Sequence, residues 1–150
     1  MATTTATISL RSSDLIPSQV LSLTASKRLY KAGSASDGID RMDMGRVEIP
    51  TDDYGNGTPK AYDLFDATAL ALDKNNYVYI ANKSTSESSY VVVSMKAAVI
   101  GRLYAGDFMW MPWSAHEAHA DVEVQAFNGT ATLEYACFHE GRTFSEEADS

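Results

Sequence analysis

The sequence predicts an all-β protein, an antiparallel β-sandwich of jelly-roll type in a single domain with little helix. Short segments rich in Val, Ile, Thr and aromatic residues recur along the chain, and turn residues separate them. Several of these segments lack clean alternation of polar and apolar residues, as expected when both faces of a sheet are covered. The chain has 150 residues, 45% of them hydrophobic, which suits one packed domain.

The first half of the chain shows brief and weakly alternating strand patterns. Pro17 separates the first two, and Pro50 ends the third. The segment 62–72 is open to two interpretations, because Asp66 caps a short helix or the segment forms another strand. The expected strands are 5–10, 19–26 and 45–50, with a loop at 33–43 and irregular structure at 51–60.

The second half shows stronger strand patterns, at 76–84, 90–96, 97–104 and 108–113. The last pattern surrounds Asn128-Gly129, the dipeptide most typical of a two-residue type I′ hairpin turn. This turn would place Val124 opposite Leu133, Val122 opposite Tyr135 and Glu123 opposite Glu134.

The predicted domain organisation is one sandwich with two extensions. We expect residues 1–12, which are rich in Thr, to form an extended N-terminal arm. Residues 13–140 are assigned to the sandwich, and residues 141–150 to an acidic C-terminal tail.

The composition argues against several classes of partner and chemistry. A net charge of −8 disfavours nucleic acid, whose affinity for proteins comes largely from clustered Lys and Arg. No apolar run approaches the ~20 residues of a membrane span, and residues 1–17 lack the pattern of a secretory signal. Cys137 is the only cysteine, so we expect a buried structural thiol and no disulfide.

The histidines do not form a convincing metal site. His116-Glu117-Ala118-His119 is one residue too short for the zinc-protease pattern. The stretch 106–116 resembles the second conserved stretch of cupins, but no histidine precedes His116, so the usual cupin ligand set cannot be assembled. We therefore predict no catalytic, metal-binding or cofactor-binding residues and no enzyme activity, and a pairing of Glu123 with Glu134 is interpreted as surface.

The strand 108–113 carries large apolar side chains on both faces. Phe108, Trp110 and Pro112 share one face, and Met109, Met111 and Trp113 share the other. One face is expected to pack in the core and the other to meet a partner, since Trp and Met are enriched in interfaces. A central strand buried on both sides is the equally weighted alternative.

The second half resembles small all-β virion structural proteins of tailed bacteriophages, including capsid decoration (cement) proteins. The resemblance covers about residues 76–138 and consists of a strand ending in I-x-N, a Val-rich strand, an L-x-x-G-D turn, an aromatic strand closing on Pro-Trp and a final L-E-Y. The matching residues are Ile80, Asn82, Val91–Val93, Leu103, Gly106, Asp107, Pro112, Trp113 and Leu133–Tyr135.

The resemblance implies a non-enzymatic assembly module made in the host cytoplasm and located on the capsid exterior of the virion. Its implied partners are the major capsid protein and further copies of itself, as a homotrimer or another homo-oligomer. A tail or tail-tip structural protein is the alternative, and a cupin-like metal enzyme or small-ligand binder is a weaker one. The candidate interface residues are Thr3, Thr5, Thr7, Met109, Met111, Trp113, Glu123 and Glu134.

Overall fold

A computed structural model describes residues 3–39, 41–52, 57–66, 76–113 and 121–140. These residues form ten β-strands and no helix. The chain divides into two compact units, Met1–Asp40 and Arg41–Ser150. The strands are β1 (Thr5–Ile16), β2 (Gln19–Arg28), β3 (Arg41–Ile49), β4 (Tyr62–Phe65), β5 (Tyr77–Asn82), β6 (Tyr90–Met95), β7 (Ala98–Tyr104), β8 (Phe108–Pro112), β9 (Val122–Phe127) and β10 (Ala131–His139).

The first unit contains a long antiparallel ribbon made of β1 and β2, which we call the ribbon. Its strands are joined at Pro17-Ser18, where Ser18 has a φ of 64°. The loop after β2 closes on itself, because the Leu29 carbonyl accepts a hydrogen bond from the Ile39 amide at 3.1 Å. The predicted boundary after residue 12 falls inside β1, so the expected arm is one part of a longer hairpin.

The second unit is a β-sandwich of two four-stranded antiparallel sheets, which confirms the predicted fold class. The first sheet has the strand order β3-β10-β5-β8, and the second has β4-β9-β6-β7. Every connection except that between β6 and β7 crosses from one sheet to the other. Counted within the sandwich, the first strand (β3) and the eighth (β10) are adjacent in one sheet, and the second (β4) and the seventh (β9) are paired in the other. This order is that of an eight-stranded jelly roll.

The core lies between the two sheets. Cys137 is buried there, as expected. Phe65 packs against Trp113 and Tyr135, with ring centroids 5.8 and 5.7 Å apart. The fully buried side chains are supplied by both sheets: Val78, Ile80 and Leu133 from the first, and Val91, Val93, Val122 and Val124 from the second.

The connection at Asn128-Gly129 corrects the predicted hairpin. Both residues have positive φ, 61° and 123°, as the sequence suggested. However, β9 pairs with β4 and β6 in the second sheet, whereas β10 pairs with β3 and β5 in the first. The dipeptide therefore forms the bend of an arch that connects the two sheets. The loop between β5 and β6 holds this bend: Ser89 Oγ donates to the Asn128 carbonyl at 2.7 Å, and Asn128 Nδ2 donates to the Ser88 carbonyl at 3.2 Å.

Candidate interaction surfaces

The ribbon has two chemically different faces, because side chains alternate along a strand and its register is regular from Thr5 to Ser12. Leu10 lies opposite Leu23, and Ile8 lies opposite Ala25. Between them, Ser9 lies opposite Thr24. The apolar ribbon face consists of Ala6, Ile8, Leu10, Leu21, Leu23 and Ala25, and Lys27 stands at its base opposite Ala6.

The predicted threonines belong to the polar side of the ribbon. Thr5 and Thr7 alternate with the apolar residues, and Thr7 Oγ1 hydrogen bonds to Ser26 Oγ at 3.1 Å. Arg28 donates to Thr3 Oγ1 at 3.0 Å. Thr3 and Thr7 therefore have hydrogen-bond partners within the first unit, and Thr5 lies opposite Arg28 in the register.

The apolar ribbon face is exposed to solvent. Ile8, Leu10 and Leu23 are 44%, 49% and 55% exposed, and Leu15 and Val20 near the tip are 69% and 67% exposed. A row of exposed leucines and isoleucines on an amphipathic ribbon is unusual for a free surface and is typical of an interaction site. A two-stranded ribbon is also only marginally stable alone in water. Sequence reasoning missed this face, although the alternation of Ile8, Leu10, Leu21 and Leu23 could have indicated it.

The side of strand β8 that faces solvent is not the one that carries the candidate interface residues Met109, Met111 and Trp113. Met109 and Met111 pack against the core, and Trp113 is 2% exposed within it. The two methionines point inward because Met111 lies opposite Val78 and Met109 lies opposite Ile80, and Val78 and Ile80 are fully buried. Phe108, Trp110 and Pro112 therefore lie on the outer side of the sandwich. The sequence could not settle this choice, because both faces of the strand are apolar.

The outer side of the first sheet carries a continuous apolar surface. Trp110 stacks on Tyr77, with ring centroids 5.3 Å apart and planes 11° apart, and it also contacts Phe138 at 5.7 Å. At the two edges of the sheet, Phe108 is 57% exposed and Met44 is 63% exposed. We call this surface the outer aromatic face: Met42, Met44, Tyr79, Phe108, Trp110 and Phe138.

The outer side of the second sheet carries a smaller aromatic cluster that is covered by a cation. Tyr90 stacks on Phe127 at 5.1 Å and contacts Tyr104 at 5.2 Å. The Arg102 guanidinium lies 4.4 Å from the centre of the Tyr90 ring and hydrogen bonds to the Tyr104 hydroxyl at 3.4 Å, which raises the pKa of Arg102. The aromatic cluster of the second sheet is therefore in direct contact with a cation.

Glu123 and Glu134 do not face each other, because they lie on different sheets and point to opposite sides of the sandwich. Glu134 forms an ion pair with Arg46 at 3.2 Å beside the outer aromatic face. Glu123 lies opposite Asp63 in the register of β4 and β9. Burial, followed by repulsion from Asp121 and Asp66, raises the pKa of Asp63 above its usual value of 3.8.

His116 and His119 lie outside the described residues. Within the described part of the chain, no group of three or more His, Cys, Asp or Glu side chains is arranged to hold a metal ion. The same residues contain no helix long and apolar enough to cross a bilayer.

No protein-family model matches the chain. No curated protein is significantly similar to it. The surfaces described above are therefore the basis for a functional proposal.

Proposed function

We propose that this protein is a capsid decoration protein of a tailed bacteriophage, which binds the outer face of the shell and stabilises it through protein contacts without catalysing a reaction. The exposed apolar face of the ribbon carries the proposal, because such a surface is typical of a protein that functions in an assembly, and a decoration protein contacts both the shell and further copies of itself. The jelly-roll fold agrees with this role but does not decide it, since viral capsid proteins, lectins and cupins share the architecture.

Charge supports a protein partner rather than nucleic acid. The whole chain has a net charge of −8, and the described basic residues are scattered. A negative module on the outside of a capsid is not drawn toward the packaged genome, because its surplus carboxylates repel phosphate.

The test uses empty shells of the major capsid protein encoded in the same genome as this chain. Shells are mixed with the purified protein and sedimented, and shells of an unrelated phage serve as the control. We expect the protein to sediment only with its own shells, at a fixed ratio to the capsid subunit, and to raise the temperature at which they rupture. Failure to bind at micromolar concentration would refute the decoration role.

Two other functions give different results. For a tail or tail-tip protein, labelled protein would be found on tails in electron micrographs of whole particles, with bare capsids. For a cupin-like enzyme or ligand binder, the purified protein would contain a stoichiometric transition metal that is lost after H116A and H119A substitution. Either result would overturn the proposed function.

A further inference from the structure

We infer that the apolar ribbon face of one copy packs against the outer aromatic face of a second copy, so that the chain forms a closed symmetric oligomer by mutual exchange of ribbons. This self-contact rests on the proposed assembly role and is one part of it. It is tested on the isolated protein, so it can fail while capsid binding succeeds.

The two sides of the ribbon differ in a way that favours burial of the apolar side. The polar side forms internal hydrogen bonds, Thr7 with Ser26 and Arg28 with Thr3, whereas the apolar side exposes roughly half of Ile8, Leu10 and Leu23. Because a pair of strands without a packed face is marginal in water, the ribbon gains stability when this face is buried.

The contact area favours a ribbon on a sandwich over a ribbon on a ribbon. Twelve residues at ~3.3 Å each and a width of ~10 Å give the ribbon a face of about 400 Å². Two ribbons face to face would bury about 800 Å² in total, the size of a crystal-packing contact. Four strands ~4.8 Å apart and about six residues long give the first sheet an outer face of similar area, about 350 Å². Two reciprocal ribbon-to-sheet contacts therefore bury about 1,500 Å², which is the size of a standard interface.

The net charges of the ribbon and the sandwich favour a second copy of this chain as the partner that covers the apolar ribbon face. Residues 5–28 contain three basic residues and one acidic residue, a net charge of +2, whereas residues 41–150 contain eight basic and seventeen acidic residues, a net charge of −9. The ribbon of one copy is thus complementary to the sandwich of another, which favours this encounter over a contact between two sandwiches.

The outer aromatic face is the better of the two outer surfaces of the sandwich. The aromatic cluster of the second sheet is covered by Arg102, whose guanidinium occupies the face of the Tyr90 ring that an apolar ribbon would need to contact. The first sheet carries Arg46 already paired with Glu134, and Glu48 lies beside this pair on the same side. Its remaining outward side chains are mainly aromatic residues and methionines, which are enriched in interface cores.

The ribbon side of the contact is tested by L10D/L23D, which changes two facing residues of the apolar face. The matched control is S9D/T24D, which introduces the same two facing charges on the polar face one residue away. Masses are measured by sedimentation equilibrium between 1 and 100 µM. We expect the wild type and S9D/T24D to be oligomeric, and L10D/L23D to associate at least about 100-fold more weakly because it loses two buried leucines.

The sheet side is tested by M44E, with V99E on the second sheet as its control, since Met44 and Val99 are similarly exposed, 63% and 69%. Only M44E should lower the mass. Circular dichroism and thermal melts confirm that each variant is folded. A monomeric wild type at 100 µM, an unchanged mass for L10D/L23D, or equal effects of M44E and V99E would each overturn the inference.

Discussion

Replacing Asn82 by Ala is expected to destabilise the sandwich by about 2–4 kcal/mol, although the side chain is small and polar. Asn82 is completely buried at the end of β5. Its Nδ2 donates to the Leu103 carbonyl at 3.0 Å, and its Oδ1 accepts from the Ser84 amide at 3.0 Å. In the Ala variant both backbone groups lose a partner, and a buried group left without one costs about 1–3 kcal/mol. Ser84 is half-buried, so water offsets part of its loss.

The loss is measured by urea denaturation, followed through tryptophan fluorescence, to which Trp110 and buried Trp113 both contribute. For a domain of this size, the expected destabilisation corresponds to a fall in Tm of about 10–20 °C. The control is K83A, which removes the exposed neighbouring side chain and should change the free energy of unfolding by less than about 0.5 kcal/mol. A loss below about 1 kcal/mol for N82A, with an unchanged dependence on urea, would refute the hydrogen-bonding argument.

Three further substitutions test other parts of the sandwich. G45A should cost about 1–2 kcal/mol in urea unfolding, because a Cβ there would lie 2.8 Å from Tyr135 Oη, whereas G101A, with no atom within 4 Å, should cost nothing measurable. K96N/A97G should stabilise the β6–β7 hairpin by about 1–2 kcal/mol, since both native residues have positive φ, 51° and 63°; an equal or lower Tm would contradict this. D63N should stabilise the protein by a few tenths of a kcal/mol at pH 7 and low salt. The pKa of Asp63 is raised in the folded state, so folding favours its protonated form. The wild type therefore loses stability as the pH rises from about 3.8 through the raised pKa. Below this pH range Asp63 is protonated in both states, and the advantage of D63N should vanish.

The positions of the strands in the second half of the chain were predictable from the sequence, but the sheet to which each belongs was not. In the first half, β1 runs on to Ile16 and β3 begins at Arg41, inside the expected loop 33–43. Val-rich and aromatic runs located β5 to β8 to within two residues, because their composition and flanking turns are local properties. Asn128-Gly129 was also correctly assigned positive φ. Nevertheless, the two-residue type I′ hairpin of the sandwich lies at Lys96-Ala97, where Met95 pairs with Ala98. Asn128-Gly129 instead bends the chain between sheets, since its hydrogen bonds go to Ser88 and Ser89.

The error in pairing has a physical cause. Val122, Val124 and Leu133 point inward in a hairpin with one buried face, and they also point inward when their strands lie in opposing sheets. The alternation of apolar residues is identical in the two cases, so only hydrogen bonds to distant segments distinguish them. The same limit applied to β8, where both faces are apolar and the partner strand β5 decides which one is buried.

The motif that resembles virion proteins is explained largely by the fold itself. Asn82 is joined to the turn from Leu103 to Asp107 by three hydrogen bonds. Its side chain donates to the Leu103 carbonyl, and its backbone amide donates to the Asp107 carbonyl at 2.9 Å. Its own carbonyl accepts from the Gly106 amide at 2.8 Å. Asp107 Oδ2 in turn accepts from the Tyr104 amide at 2.9 Å.

Most of the other matching residues fill the core, among them Ile80, Trp113 and Leu133. A protein that shares these residues is therefore expected to share the jelly roll, whatever it binds. In the contact that we propose, the choice of partner depends on residues that the motif does not include, above all Leu10 and Leu23 on the ribbon and Met44 and Trp110 on the outer aromatic face. Substitutions at the motif should lower stability and binding together, whereas L10D/L23D and M44E should change association while stability is retained. This separation is what an assembly module built on a stable sandwich requires.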